Sequence, residues 1–404
     1  MTNMTRVTFT IALLAAALLR PAAAAAQETN LVPTADANPL APVGWSFTPS
    51  LTYSGAWDDN VLIRGKGDST PRDFLNVVNP RGALDFNGRR GQMALSYDGA
   101  FLLYRDLHSL DSYDQHAWFF GRRLIAPHVA LFVRNTAASV PTTELAQLIA
   151  IPFVRTGSRL DNFRTGVEAA FTKRTSMVAS YDFEYVDFDH SQPGAEGLRG
   201  GHSHGGTVNL RHILSDRLSL TADYGFQHAI IGTIGQTFDI QNAWVGGEYR
   251  LTDLTRVFGA GGISRLAATE ISANRTGPAW RFGLTRDLRT AAVDLLYTRS
   301  FVPSYGFGGT MQNEEATARL RLPLARRVYT STAVSWRRND PLFDVELPLR
   351  SVWIEGTIGY AVTPFVHVEA FYGGTHQTID RPGGVLDRNR IGFQVITAKP
   401  VRIR

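Results

Sequence analysis

The residues best suited to chemistry are few, and their spacing serves it poorly. His202-Ser203-His204 lies between two glycine pairs, Gly200-Gly201 and Gly205-Gly206. Two histidines at i and i+2 of an extended segment share a face, as a metal site needs, but no carboxylate stands beside them. The glycine flanks predict a flexible external loop instead, with no metal and no other cofactor. Serine, histidine and aspartate are otherwise scattered, and no G-x-S-x-G elbow occurs. A membrane-embedded lipid hydrolase would need a Ser–His pair assembled across neighbouring strands. The expectation is a protein that is not an enzyme. The absence of cysteine removes thiolate catalysis, zinc–thiolate sites and disulfide frameworks.

A larger set of charges recurs at regular positions. Arg134, Arg164, Glu168, Asp182, Glu184, Arg211, Asp223, Arg281, Arg319 and Arg321 each fall in the polar register of an alternating segment, and so do Glu248, Asp294, Arg337, Glu355 and Glu369. Charges of both signs turned inward are tolerable only if paired or hydrated. These residues are expected to line a water-filled lumen, where facing arginine and carboxylate rows set a transverse field on solutes. Bracing of the wall by the same pairs is the alternative, and the two are compatible.

The elements that must position them have a period of two. Leu218, Leu220, Ala222, Tyr224 and Phe226 are separated by Ser219, Thr221, Asp223 and Gly225, and the pattern returns at Met177–Tyr185, Phe163–Phe171, Ala316–Leu322 and Val352–Tyr360. Such alternation predicts strands with one apolar and one polar face. The connections alternate short and long. Turns such as Lys173-Arg174-Thr175 and Ser215-Asp216-Arg217 are followed by long polar loops such as 189–201 and 302–312. Short periplasmic turns and long external loops predict an all-β, antiparallel up-and-down transmembrane barrel of about eighteen strands. Trp45, Trp57, Tyr113, Trp244, Trp280, Phe301, Trp336 and Tyr372 fit interfacial girdles, or simply the β-propensity of aromatics.

Arg6, the apolar run from Val7 to Leu19 and the alanines Ala22–Ala26 predict a signal peptide over 1–26. Residues 27–44 then form a periplasmic arm, and 45–404 the barrel. No later stretch is apolar enough for a membrane helix, so a closed barrel is the remaining way to span a bilayer. The net charge of +5 is spread without a basic run, so no nucleic-acid partner is expected.

The opening Trp45-Ser46-Phe47-Thr48-Pro49-Ser50-Leu51-Thr52-Tyr53, running into Trp57-Asp58-Asn60-Val61 by way of Asp59, resembles the start of a bacterial family of outer-membrane β-barrel porins found at exopolysaccharide-export loci. The resemblance implies an outer-membrane barrel. Its partners would be outer-membrane lipids, the barrel assembly machinery and a small hydrophilic solute or polysaccharide, with an oligomer possible. The C-terminus departs from the terminal Phe of many such barrels, ending Lys399-Pro400-Val401-Arg402-Ile403-Arg404.

One connection is unusual. The span 137–159 contains the apolar residues Leu145, Leu148, Ile149, Ile151 and Phe153, which an exposed loop has no reason to hold. Infolding to constrict the lumen, a subunit contact, or strands continuing above the membrane would each explain them, and infolding is the expectation.

Overall fold

The computed structural model describes residues 43–65, 69–143, 152–190, 198–232, 236–268, 273–288, 291–306, 309–342, 347–380 and 384–403. The signal peptide and nearly all of the arm lie outside them. The chain forms β1 (Gly44–Asp58), β2 (Asp73–Asn87), β3 (Gly91–Tyr104), β4 (Ser112–Ala126), β5 (Val129–Val140), β6 (Ser158–Ala170), β7 (Thr175–Phe188), β8 (Gly201–Ile213) and β9 (Leu218–Ile231). It continues through β10 (Gln236–Thr252), β11 (Thr255–Ala268), β12 (Ala273–Asp287), β13 (Ala292–Ser304), β14 (Gly309–Pro323), β15 (Val328–Pro341), β16 (Leu349–Thr363), β17 (Val366–Ile379), β18 (Val385–Ala398) and β19 (Val401–Ile403). A single turn of 3₁₀ helix, His108–Leu110, precedes β4.

From β1 to β18 each strand pairs antiparallel with the next, and β1 pairs with β18, so the sheet closes on itself. After the Lys399-Pro400 break, β19 takes over from β18 along the first residues of β1, from Trp45 to Phe47. The barrel therefore has eighteen staves. These eighteen run from 12 residues in β5 to 17 in β10, longer than the ten or so a bilayer needs. Several loops are correspondingly shorter than their composition suggests, because polar residues at strand tops stay in the ladder.

Alternation sorts the side chains cleanly. Leu220, Tyr224 and Phe226 on β9, Leu295 on β13, Ile358 and Tyr360 on β16, and Ile391 and Phe393 on β18 are all exposed on the outside. Such a wall is untenable in water and matches hydrocarbon. Together, the closed ladder and the apolar exterior define a transmembrane β-barrel of the outer-membrane type.

His202 and His204 are not in a loop. They stand near the start of β8 and face outward beside Tyr181 and Phe183, with Tyr181 Oη 2.6 Å from His204 Nδ1. The flanking glycines serve close strand approach rather than flexibility: a Cβ at Gly201 or Gly205 would run into the carbonyl oxygen of Ile230 or Phe226.

One seam is short. β12 bonds to β11 along its whole length but to β13 only from Trp280 to Asp287. Above Trp280, among the described residues, β13 and β14 keep pairing with each other and turn inside the barrel. The Phe301 N–H donates to Ser264 Oγ on β11 at 3.3 Å, and the Phe301 ring lies over Gly277 of β12. The outer face of the tucked hairpin thus packs on the inner face of its neighbours. Phe301 and Tyr305 join Val186, Phe188, Ile231, Phe238, Ile240 and Leu266 in a buried apolar cluster. Phe301 is therefore no girdle residue.

Candidate functional site

Below that cluster the inner wall is polar and charged, because the inward register of β4 to β12 alternates against an outward face held in lipid. Arg122 Nε donates to Glu168 Oε2 at 2.8 Å, joining β4 to β6. Arg164 of β6 pairs with Asp182 of β7, its direct cross-strand partner. Asn209 of β8 bonds Asp223 of β9, whose other oxygen accepts from Arg281 Nη2 of β12 at 2.9 Å. Arg211 reaches Glu248 at 3.2 Å nearer the turn end.

These groups border a recess with about 700 Å³ of open space, lined by Arg134, Arg164, Glu168, Asn209 and Asp223 together with the rings of Phe120, Phe132 and Trp244. Trp244 opposes Asp223 in register and its ring lies 5.6 Å under the Arg281 guanidinium, so it too faces inward rather than into a girdle. Phe132 fits because its partner Gly166 has no side chain to collide with its ring. The charge pattern alone does not reveal the aromatic component of the recess. Its only sequence signal was large rings, Trp118 and Phe120, falling in the register of Arg122.

The remaining expected residues are spread out. Asp294 and Arg319 oppose each other on β13 and β14, with Arg321 two residues closer to the turns. Across the barrel, Arg337 Nη2 donates to Glu315 Oε1 at 2.9 Å, and Gln394 Nε2 donates to Glu369 Oε2 at 2.6 Å. Glu184 also faces inward, but the tucked hairpin covers it: Tyr305 Oη donates to Glu184 Oε2 at 3.2 Å. Its environment is therefore a closed one.

The β5–β6 connection also enters the lumen at its root. The Phe153 N–H donates to Gln377 Oε1 on β17 at 2.7 Å, and Phe153 packs with Ile63 and Leu386. Arg155 anchors the same segment to Tyr104 Oη and to the Leu110 carbonyl. Leu145, Leu148, Ile149 and Ile151 lie outside the described residues. No cluster of three metal-ligating side chains exists among the described residues.

No family model matches the chain, and no curated protein matches it. Among solved structures it is similar to Acinetobacter baumannii OccAB3, with 11% identity, 88% of this chain and 99% of that one covered, and a TM-score of 0.47. It is also similar to Acinetobacter baumannii OccAB4, at 7% identity, 90% and 100% coverage and a TM-score of 0.48. Pseudomonas aeruginosa OpdQ gives 11%, 88% and 98%, with a TM-score of 0.43. At these values the fold rests on the register of the chain's own strands.

Proposed function

We propose that the protein is a porin-like channel of the bacterial outer membrane, passing small hydrophilic solutes or saccharides without catalysis. The observation that carries this is the charged recess on the inner wall. Arginine and carboxylate side chains of β5, β6 and β9 line it, in a barrel wide enough to hold water. A solute in that recess meets guanidinium groups and carboxylates within one another's reach. Its own dipole or charge is thereby oriented before it moves on. The aromatic rings add an apolar face against which a sugar's C–H edge can lie. Arg134, Arg164, Glu168 and Asp182 are the contacts proposed for this path, with the buried Asp223–Arg281 pair bracing the wall beside them. Arg211, Arg319 and Arg321 would act nearer the periplasmic end.

In this reading the barrel is inserted by the assembly machinery after signal-peptide removal, and the tucked β13–β14 hairpin and the β5–β6 root narrow the external mouth. The same two elements favour a second reading, an accessory barrel in exopolysaccharide secretion that is closed to free diffusion. Reconstitution in a planar bilayer separates them. Discrete ohmic current steps with a preference among small ions are expected of the channel. A correctly folded protein that gives none belongs to the second reading.

A further inference from the structure

Outward side chains are apolar up to the ring of Trp280, Trp336 and Tyr372, and on one side of the barrel they then become cationic. Trp280 opposes Arg299, Arg299 opposes Glu314, Glu314 opposes Arg338, and Arg338 opposes Arg350. Four charged residues on β13 to β16 thus occupy one unbroken row of directly facing outward positions, beginning beside a tryptophan of the aromatic ring.

Within the row, Arg299 Nε lies 3.4 Å from Glu314 Oε1, and Arg338 Nε donates to Asp340 Oδ1 at 3.0 Å. Arg350 is exposed next to Arg338, and Arg265 is exposed on the outside of β11. Among the described residues, the outward loop ends of β11 to β16 therefore hold four guanidinium groups, with the carboxylates of Glu314 and Asp340 beside them. On β6 to β10 the balance reverses, with Asp161, Asp187 and Asp239 facing outward against Arg159.

Two physical facts make this arrangement informative. Arginine deep on a lipid-facing wall is strongly unfavourable, whereas at headgroup level it is nearly free of cost. Like charges directly opposite each other in a sheet repel; Asp340 takes up the charge of Arg338, while Arg350 beside it is exposed and open to a further anion. Planar guanidinium forks suit the oxygens of a phosphate.

We propose that the Arg299–Glu314–Arg338–Arg350 row is a binding site for the phosphate of a membrane lipid headgroup in the external leaflet. The lipid's acyl chains would lie along the apolar belt below, and its phosphate would bridge Arg338 and Arg350. The site is independent of whether the lumen conducts.

The test uses the full-length folded protein in uncharged detergent, titrated with phosphatidate while tryptophan emission is recorded. Diacylglycerol with the same chains and inorganic phosphate are titrated in parallel. Saturable binding of phosphatidate alone is expected, weakened about tenfold or more in the double variant Arg338→Gln/Arg350→Gln. Glu314→Gln should tighten it, which keeps the test decisive if the double variant folds poorly. Equal binding by the double variant, an equal response to diacylglycerol or inorganic phosphate, or weakened binding in Glu314→Gln would each overturn the proposal. So would lipid-independent self-association that the double variant abolishes, since the row would then be a contact between copies.

Discussion

The ring of Phe301 on β13 lies over the bare α-carbon of Gly277 on β12, where a Cβ would stand 2.8 Å from it. This contact fills the place where the β12–β13 ladder stops, and it holds the hairpin inside the barrel. Phe301→Ala should cost about 3–5 kcal/mol in urea unfolding of the detergent-folded protein, the usual range for emptying a packed aromatic site. Under the channel reading it should also raise single-channel conductance. Unchanged stability would mean that the hairpin is held elsewhere.

A second restriction hangs on Phe153 and Gln377, which meet from β17 and the β5–β6 connection. Deleting Thr142 to Pro152 is expected to increase conductance clearly while heat-modifiable gel mobility is kept. Gln377→Leu leaves the Phe153 N–H buried without its acceptor and should destabilise by about 1–3 kcal/mol. Unaltered current in the deletion variant would relegate the segment to the outer surface or to a subunit contact.

Arg281 and Asp223 form an ion pair whose side chains are 9% and 8% exposed. Removing one partner leaves the other charge poorly solvated, so Asp223→Leu should cost about 3–5 kcal/mol. The double replacement Asp223→Leu/Arg281→Met should recover most of that loss. Chemical denaturation of all three proteins checks it, and a double variant as unstable as the single one contradicts it.

Ala222 faces outward and Thr221 inward on β9. Ala222→Arg should destabilise by about 2–4 kcal/mol in lipid, and Thr221→Arg far less. Equal losses in refolding titrations into vesicles would place the register, or the bilayer, wrongly.

The barrel was legible because a strand in a membrane wall has no freedom in its alternation: each residue meets lipid or the interior. The inward placement of Arg164, Asp182 and Asp223 follows directly from that rule. Phe301 was not legible, because alternation gives its face without saying that its hairpin turns inside the barrel, whereas Trp244 shares the inward register of Glu248 four residues on. The histidines of β8 depart from the loop expectation for another reason. Glycines predict freedom in isolation, yet beside Phe226 and Ile230 they are what lets the backbones close up.

Closure joins β1 to β18 and β19, with Asp58 and Arg388 paired across 330 positions of sequence. The first strand thus waits for the last. Until residues beyond 385 are available, two unsatisfied strand edges persist, each a template for pairing with another chain. Loop-closure entropy must be met before that long-range pairing stabilises anything. A chain lacking the closing strand should therefore fail to form a closed barrel. The transit of such a polypeptide to its membrane demands an escort that shields both edges at once.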